Sequence, residues 1–191
     1  MRRIAMIAAC LVAGSAALAQ NAPTATIETS MGTITIALDR DKAPQTVANF
    51  IAYAREGHFD GTIVYRVEPG FVIQMGSYAA DGSARPTHAP IPLEAANGLS
   101  NLHGSVAMAR NDAPDSATAE FFIDLSDNTA LDHQRLDNGN TTGYAVFGHV
   151  VRGMDVADRI AGVPTGGQGP FPPQSTPLTP VVVKTVTIAG E

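Results

Sequence analysis

Between positions 64 and 76 the chain reads Val-Tyr-Arg-Val-Glu-Pro-Gly-Phe-Val-Ile-Gln-Met-Gly. This run sets a cation (Arg66), an aromatic ring (Phe71) and an amide (Gln74) on one short strand–turn–strand unit whose other residues are mostly apolar. A permanently charged guanidinium among apolar strand residues requires a reason, because desolvating it without a partner is costly. The later stretches Ser105-Val106-Ala107-Met108-Ala109-Arg110 and Ala119-Glu120-Phe121-Phe122-Ile123-Asp124-Leu125 add apolar surface and further polar handles. Together they predict a shallow apolar pocket with one fixed cationic donor at its edge, a site for a neutral polarised group such as an amide. Taken singly, Arg66 reads more readily as a strand arginine paired with an acid, and Phe121 and Phe122 as core. The joint occurrence of the stretches carries the inference. His58, His88, His103, His133 and His149 show no metal-ligand spacing. Gly166-Gly167-Gln168-Gly169 lacks the Lys-Ser/Thr of a phosphate loop.

The elements that must hold these residues are mostly strands. Residues 24–38 alternate with period two around Ser30-Met31-Gly32 and read as a hairpin. Pro44 opens a helix in its tolerated first-turn position, with Val47, Phe50, Ile51 and Ala54 at helical spacing and Gly57 ending it. Strands are expected at about 61–67 and 71–75, joined through Pro69-Gly70, then at about 104–109, 120–125 and 143–150. Residues 81–101 read as loop, 154–161 as a short helix, 164–180 as an irregular surface connection, and 181–188 as a last strand able to pair with the first. About eight short strands and two helices in one domain predict a mainly β fold, a closed eight-stranded antiparallel barrel capped by two α-helices. Closure hides the sheet edges. An interior filled with Ile, Val, Leu and Phe leaves the site on the outside.

The first nineteen residues read as a secretory signal peptide. Met1-Arg2-Arg3 is basic, Ile4 to Val12 is apolar, and Ala17-Leu18-Ala19 before Gln20 is a small-x-small cleavage pattern. The apolar run is too short for a membrane span. Cleavage near Ala19 leaves 20–191 as the domain and removes Cys10, the only cysteine, so thiol catalysis and thiolate metal sites are excluded. The full chain carries 12 basic and 18 acidic residues, a formal charge of −6. Loss of Arg2 and Arg3 makes the domain more acidic still. That balance argues against nucleic acid and anionic membrane as partners.

At Tyr65-Arg66-Val67-Glu68-Pro69-Gly70-Phe71-Val72-Ile73-Gln74, Ala107-Met108-Ala109-Arg110, Glu120-Phe121-Phe122-Ile123 and Tyr144-Ala145-Val146-Phe147-Gly148 the chain resembles the cyclophilins, which are peptidyl-prolyl cis–trans isomerases. The similarity runs from about Thr24 to Ile188, and with the signal peptide it is nearest the periplasmic bacterial type. The resemblance implies an eight-stranded barrel with two helices, no cofactor and no metal, and a groove on one outer face. It implies that Arg66 is the catalytic arginine and that Phe71, Val72, Phe122, Leu131 and Tyr144 line a proline pocket. Gln74 would steady the arginine and the bound peptide. Ala109 and Arg110 would pair with the substrate through their backbone, and Glu120 is another polar groove position. The implied partners are proline-containing unfolded or partly folded polypeptides, met by a monomer in the periplasm.

Three positions depart from the best-known eukaryotic members. Tyr144 stands for histidine, as is usual in the periplasmic type. Ala130 stands for tryptophan, removing an apolar wall and an N–H donor, which predicts weak cyclosporin binding. Glu120 stands where the family usually has glutamine, and a carboxylate only accepts hydrogen bonds. Within reach of Arg66 it would either orient the guanidinium or draw it away, with modestly reduced activity and an acid-side pH dependence. A peptide-binding chaperone or scaffold on the same barrel, with little turnover, is the competing function. A small-molecule-binding barrel fits poorly with a packed interior.

Overall fold

A computed structural model describes residues 22–136 and 139–190. The expected signal peptide, 1–19, lies outside the described residues. The strands are β1 (Thr24–Thr29), β2 (Gly32–Leu38), β3 (Thr62–Glu68), β4 (Val72–Ala79), β5 (Ser105–Met108), β6 (Phe121–Asp124), β7 (Gln134–Leu136), β8 (Gly139–Thr141), β9 (Val146–Arg152) and β10 (Val181–Ala189). Eight of them close an antiparallel barrel in the order β1-β10-β3-β4-β6-β5-β9-β2, and β7 and β8 form a separate two-stranded sheet. The first and last strands lie side by side, with Thr24 opposite Ala189. The β7–β8 hairpin escaped the sequence reading because its polar residues carry no apolar alternation. Strand β4 also runs on to Ala79, beyond the expected end at 75, because Gly76 continues the strand rather than breaking it.

Two helices, α1 (Pro44–Arg55) and α2 (Met154–Ala161), pack on the barrel. Helix α1 starts with Pro44, and Ala43 at its cap offers no side-chain oxygen. Glu94, distant in sequence, does that work: its carboxylate accepts from the Gln45 N–H (3.1 Å), the Thr46 N–H (2.8 Å) and the Thr46 hydroxyl (2.7 Å). A carboxylate at a helix N-terminus satisfies orphan donors and complements the dipole. The helix delivers Phe50 into an aromatic cluster, 5.2 Å from Phe59 and edge-on to Phe121 at 5.3 Å. Val156, Ala157 and Ile160 of α2 join the same interior core as Ile27, Ile34, Ile36, Val64, Ile73, Ile123 and Val183. The barrel is therefore solid, and a second small apolar cluster, Val72, Ala107, Ala109, Phe122 and Val146, lies apart from it.

Candidate active site

The second cluster is the floor of an outer groove, and strand register builds it. Arg66 on β3 faces Gln74 on β4, Gln74 faces Phe122 on β6, Phe122 faces Ala107 on β5, and Ala107 faces Val146 on β9. This row crosses five adjacent barrel strands on one face. A bulge makes its first member possible. Val64 pairs with Met75 and Arg66 with Gln74, so Tyr65 is an extra residue on β3. Val64 and Val67 both point into the core, leaving Tyr65 and Arg66, neighbours in sequence, on the same outer side. Bulges re-aim side chains in this way. On β6, ordinary alternation sends Phe121 into the core and Phe122 to the groove.

Around that row stand Phe71, Val72, Ala109, Arg110, Leu131, Tyr144 and Phe171, enclosing about 250 Å³ with Arg66, Gln74 and Phe122. Phe71 enters through the Glu68–Phe71 turn, closed by the Phe71 N–H to Glu68 carbonyl bond (2.9 Å). Gly70 sits in that turn at φ +74°, where a side chain would be strained. Tyr144 meets Phe122 edge-on at 5.5 Å, and its N–H donates to the Leu131 carbonyl (2.9 Å). Arg110 lies over the Tyr144 ring, 4.8 Å from its centroid, and donates to the Gly143 carbonyl (2.8 Å) and the Thr142 hydroxyl (2.5 Å). The Ala109 N–H is committed to the Glu120 carbonyl (2.9 Å), so strand-like pairing of a ligand with Ala109 falls to its carbonyl.

The polar side of the groove is a chain of four side chains. Arg66 Nη1 donates to Gln74 Oε1 (3.2 Å). Gln74 Nε2 donates to the Tyr65 hydroxyl (2.8 Å) and to Glu120 Oε2 (3.2 Å), and the Tyr65 hydroxyl donates to the same Glu120 oxygen (2.6 Å). Burial, with Glu120 beside it, holds the Tyr65 phenol well above its usual pKa, so it remains a donor. An acceptor-only carboxylate on one side fixes which way the Gln74 amide points, and its oxygen is thereby turned to Arg66. Arg66 Nε is buried without a hydrogen bond, 3.6 Å from Glu68. A partly exposed ion pair of that length contributes at most about 1 kcal/mol. Among the described residues no cluster of three His, Cys, Asp or Glu could hold a metal ion, and no helix is long and apolar enough to cross a membrane.

Residues 24–188 match the family model for cyclophilin type peptidyl-prolyl cis-trans isomerases. The chain belongs to the cyclophilin family. It is 46% identical over 162 residues to "Peptidyl-prolyl cis-trans isomerase A" of Dickeya dadantii, covering 85% of this chain and 82% of that one. It is 45% identical over 164 residues to "Peptidyl-prolyl cis-trans isomerase B" of Escherichia coli, covering 86% and 98%. The fold is similar to a Cryptosporidium parvum cyclophilin type isomerase crystallised in the presence of the dipeptide Ala-Pro. That match has a TM-score of 0.70 at 20% identity over 88% of this chain and 99% of that one.

Nine of the ten expected site residues of this cyclophilin line one groove, and the tenth, Glu120, stands behind Gln74. Glu120 does not engage Arg66. Among the described residues, the carboxylate paired with the guanidinium is Glu68, on the same strand and side, and Glu120 reaches Arg66 through Gln74. Exposed Ala130 is absent from the groove wall. Phe171 was missed because it lies in the Pro- and Gly-rich connection after α2, which reads locally as surface.

Proposed function

We propose that this cyclophilin accelerates rotation about X–Pro bonds in exported polypeptides, with Arg66 stabilising the twisted amide beside the apolar pocket. The family membership supplies the reaction class, and the named relatives are peptidyl-prolyl isomerases. The observation that carries the mechanism is Arg66: a guanidinium held by Gln74 at the edge of a groove walled by Phe71, Phe122, Leu131 and Tyr144.

Rotation of a peptide bond meets a barrier of ~18–20 kcal/mol because conjugation must be broken. Uncatalysed exchange therefore takes roughly 10–100 s, and a 10⁵-fold acceleration requires lowering the barrier by about 7 kcal/mol. In the twisted amide the nitrogen is pyramidal and exposes a lone pair absent from the planar form. A guanidinium N–H that meets this lone pair binds the transition state and not the ground state. Arginine suits the task because it stays protonated and presents rigid donors. A preorganised donor in a water-poor site contributes ~2.7–4 kcal/mol. The apolar walls supply the rest by gripping the pyrrolidine ring and by favouring an amide that has lost its resonance dipole. No bond to carbon breaks, so the chemistry asks for neither nucleophile nor metal.

The basic–apolar–small pattern of residues 1–19 supports export to the periplasm, where a monomer would act on proline-containing chains. The missing indole at Ala130 supports weak cyclosporin binding. The deciding experiment is turnover of an Ala-Pro peptide by the Arg66→Ala protein, followed by NMR exchange or a chymotrypsin-coupled assay. We expect kcat/KM to fall at least tenfold while the circular dichroism spectrum is unchanged. Wild-type turnover by the folded variant would remove Arg66 from the mechanism.

A further inference from the structure

One wall of the groove comes from the connection that follows α2. Phe171 belongs to the connection between α2 and β10, and its ring centroid lies 5.1 Å from the Arg66 guanidinium carbon. The same ring stacks on Tyr65 at 5.6 Å and 22°. Phe71 stands 5.5 Å from that guanidinium carbon, so the cation has two aromatic neighbours. The connection is pinned where it carries Phe171. The Thr176 hydroxyl donates to the carbonyls of Phe171 (3.1 Å) and Pro172 (3.2 Å), and the Gly166 N–H donates to the Pro173 carbonyl (2.8 Å). Ser175 and Thr176 are buried, and the Ser175 hydroxyl donates to Glu68 Oε1 (2.5 Å). That is the carboxylate oxygen 3.6 Å from Arg66 Nε. The segment thus reaches the arginine twice, through a ring and through a held carboxylate.

From this we infer that Phe171 is a positioning residue for Arg66, and that the segment 171–175 is a working part of the active site. The single hydrogen bond to Gln74 fixes one edge of the guanidinium but leaves its plane free to rotate. A ring against the face of the cation restrains that rotation by cation–π attraction. Unlike a carboxylate partner, a ring consumes no N–H group, so donors stay available for the prolyl nitrogen. Preorganisation of a donor of this kind is felt in the chemical step more than in binding.

The inference rests on the isomerase reading with Arg66 as donor, so the experiment separates the two. Turnover of an Ala-Pro peptide is measured for the wild type, Phe171→Leu, Phe171→Tyr, Arg66→Ala and the double variant Arg66→Ala/Phe171→Leu. Leucine keeps apolar bulk without a π face, and tyrosine restores the face. We expect Phe171→Leu to lower kcat about five- to twentyfold with KM within twofold, and Phe171→Tyr to stay within twofold of wild type. In the Arg66→Ala background Phe171→Leu should change the residual rate by less than twofold, because the group it positions is gone. The Arg66 Nε–H signal in a ¹H–¹⁵N spectrum should shift and exchange faster with water in Phe171→Leu. Wild-type kcat in Phe171→Leu overturns the inference, as does an equal loss with and without Arg66. An inactive wild-type chain, or a fully active Arg66→Ala, overturns the isomerase reading and this one with it.

Discussion

Arg66 illustrates how a residue's geometry is completed by neighbours one hydrogen bond further away. Its amide partner Gln74 has two ends, and only the carbonyl end helps a guanidinium. Glu120 and the Tyr65 hydroxyl take the N–H₂ end, so the carbonyl end turns to Arg66. The acidic residue at 120 therefore steadies the arginine at one remove. Replacing Glu120 with alanine should lower kcat/KM about three- to tenfold in a peptide assay by freeing Gln74 to flip, whereas Glu120→Gln, which keeps an acceptor oxygen, should stay within about threefold. Equal effects of the two substitutions would show that orientation of Gln74 is not what position 120 provides. The residue types were legible in the chain, including the oddity of a carboxylate at 120. Its partner was not, because the distance from Glu120 to Gln74 or Arg66 depends on how β4 and β6 are aligned.

Among the elements, β4 is held in place by a close backbone approach that bears on the site. Gly76 lies at φ +117°, and a Cβ there would fall 2.6 Å from the Ala119 carbonyl oxygen and 3.2 Å from Glu120 Cα. The obstacle is backbone, which cannot swing aside as a side chain can. This close approach brings the 119–120 segment against β4 and so places Glu120 beside Gln74. Gly76→Ala combines strain at positive φ with overpacking and should destabilise the fold by about 2–4 kcal/mol. Urea denaturation measures that loss, and a change under about 0.5 kcal/mol would mean that the segment can retreat freely. Gly70 is a contrast, with open space around its Cβ position. Gly70→Ala should cost only the conformational strain, about 1–2 kcal/mol. The β1–β2 and β3–β4 hairpins and both helices were legible because alternation, Pro44 and the Pro69-Gly70 turn are local signals. The β7–β8 hairpin and the continuation of β4 through Gly76 were not, since pairing partners rather than patterning create them.

For the molecule as a whole, one buried acid links stability to pH. Asp124 faces outward on β6 but is fully covered; its Oδ1 accepts from Asn128 (2.7 Å) and its Oδ2 is buried without a partner. Burial, with Asp132 nearby, raises its pKa from 3.8 to about 7, against the lowering effect of the Asn128 bond. Between about pH 4 and 7 the native state therefore holds a proton that the unfolded chain has released. Its contribution to stability falls as pH rises through that window and is flat above it. Asp124→Asn removes the ionisable group while keeping an acceptor for Asn128. The variant should gain on the wild type as pH rises, by at most about 4 kcal/mol at pH 8, with little difference at pH 4. Denaturation midpoints at both pH values test this, and a gap that does not change with pH would place the titration elsewhere. Asn128 also donates to the Phe71 carbonyl (2.9 Å), so this acid sits directly behind a wall of the groove.

Order and chemistry were written in the chain: strand-forming segments around two helices, a lone guanidinium between apolar blocks, and the spacing that marks a cyclophilin. Those are local facts, carried by period, turn residues and side-chain type. The groove itself is not local. Arg66, Gln74, Phe122, Ala107 and Val146 become a row only when five strands align across a closed barrel, and a bulge at Tyr65 is needed to put Arg66 in it. Phe171, about a hundred residues from Arg66, joins that row through a loop whose own sequence gives no direction. Side-chain type is set residue by residue, whereas neighbourhood on the outside of a barrel is set by long-range register.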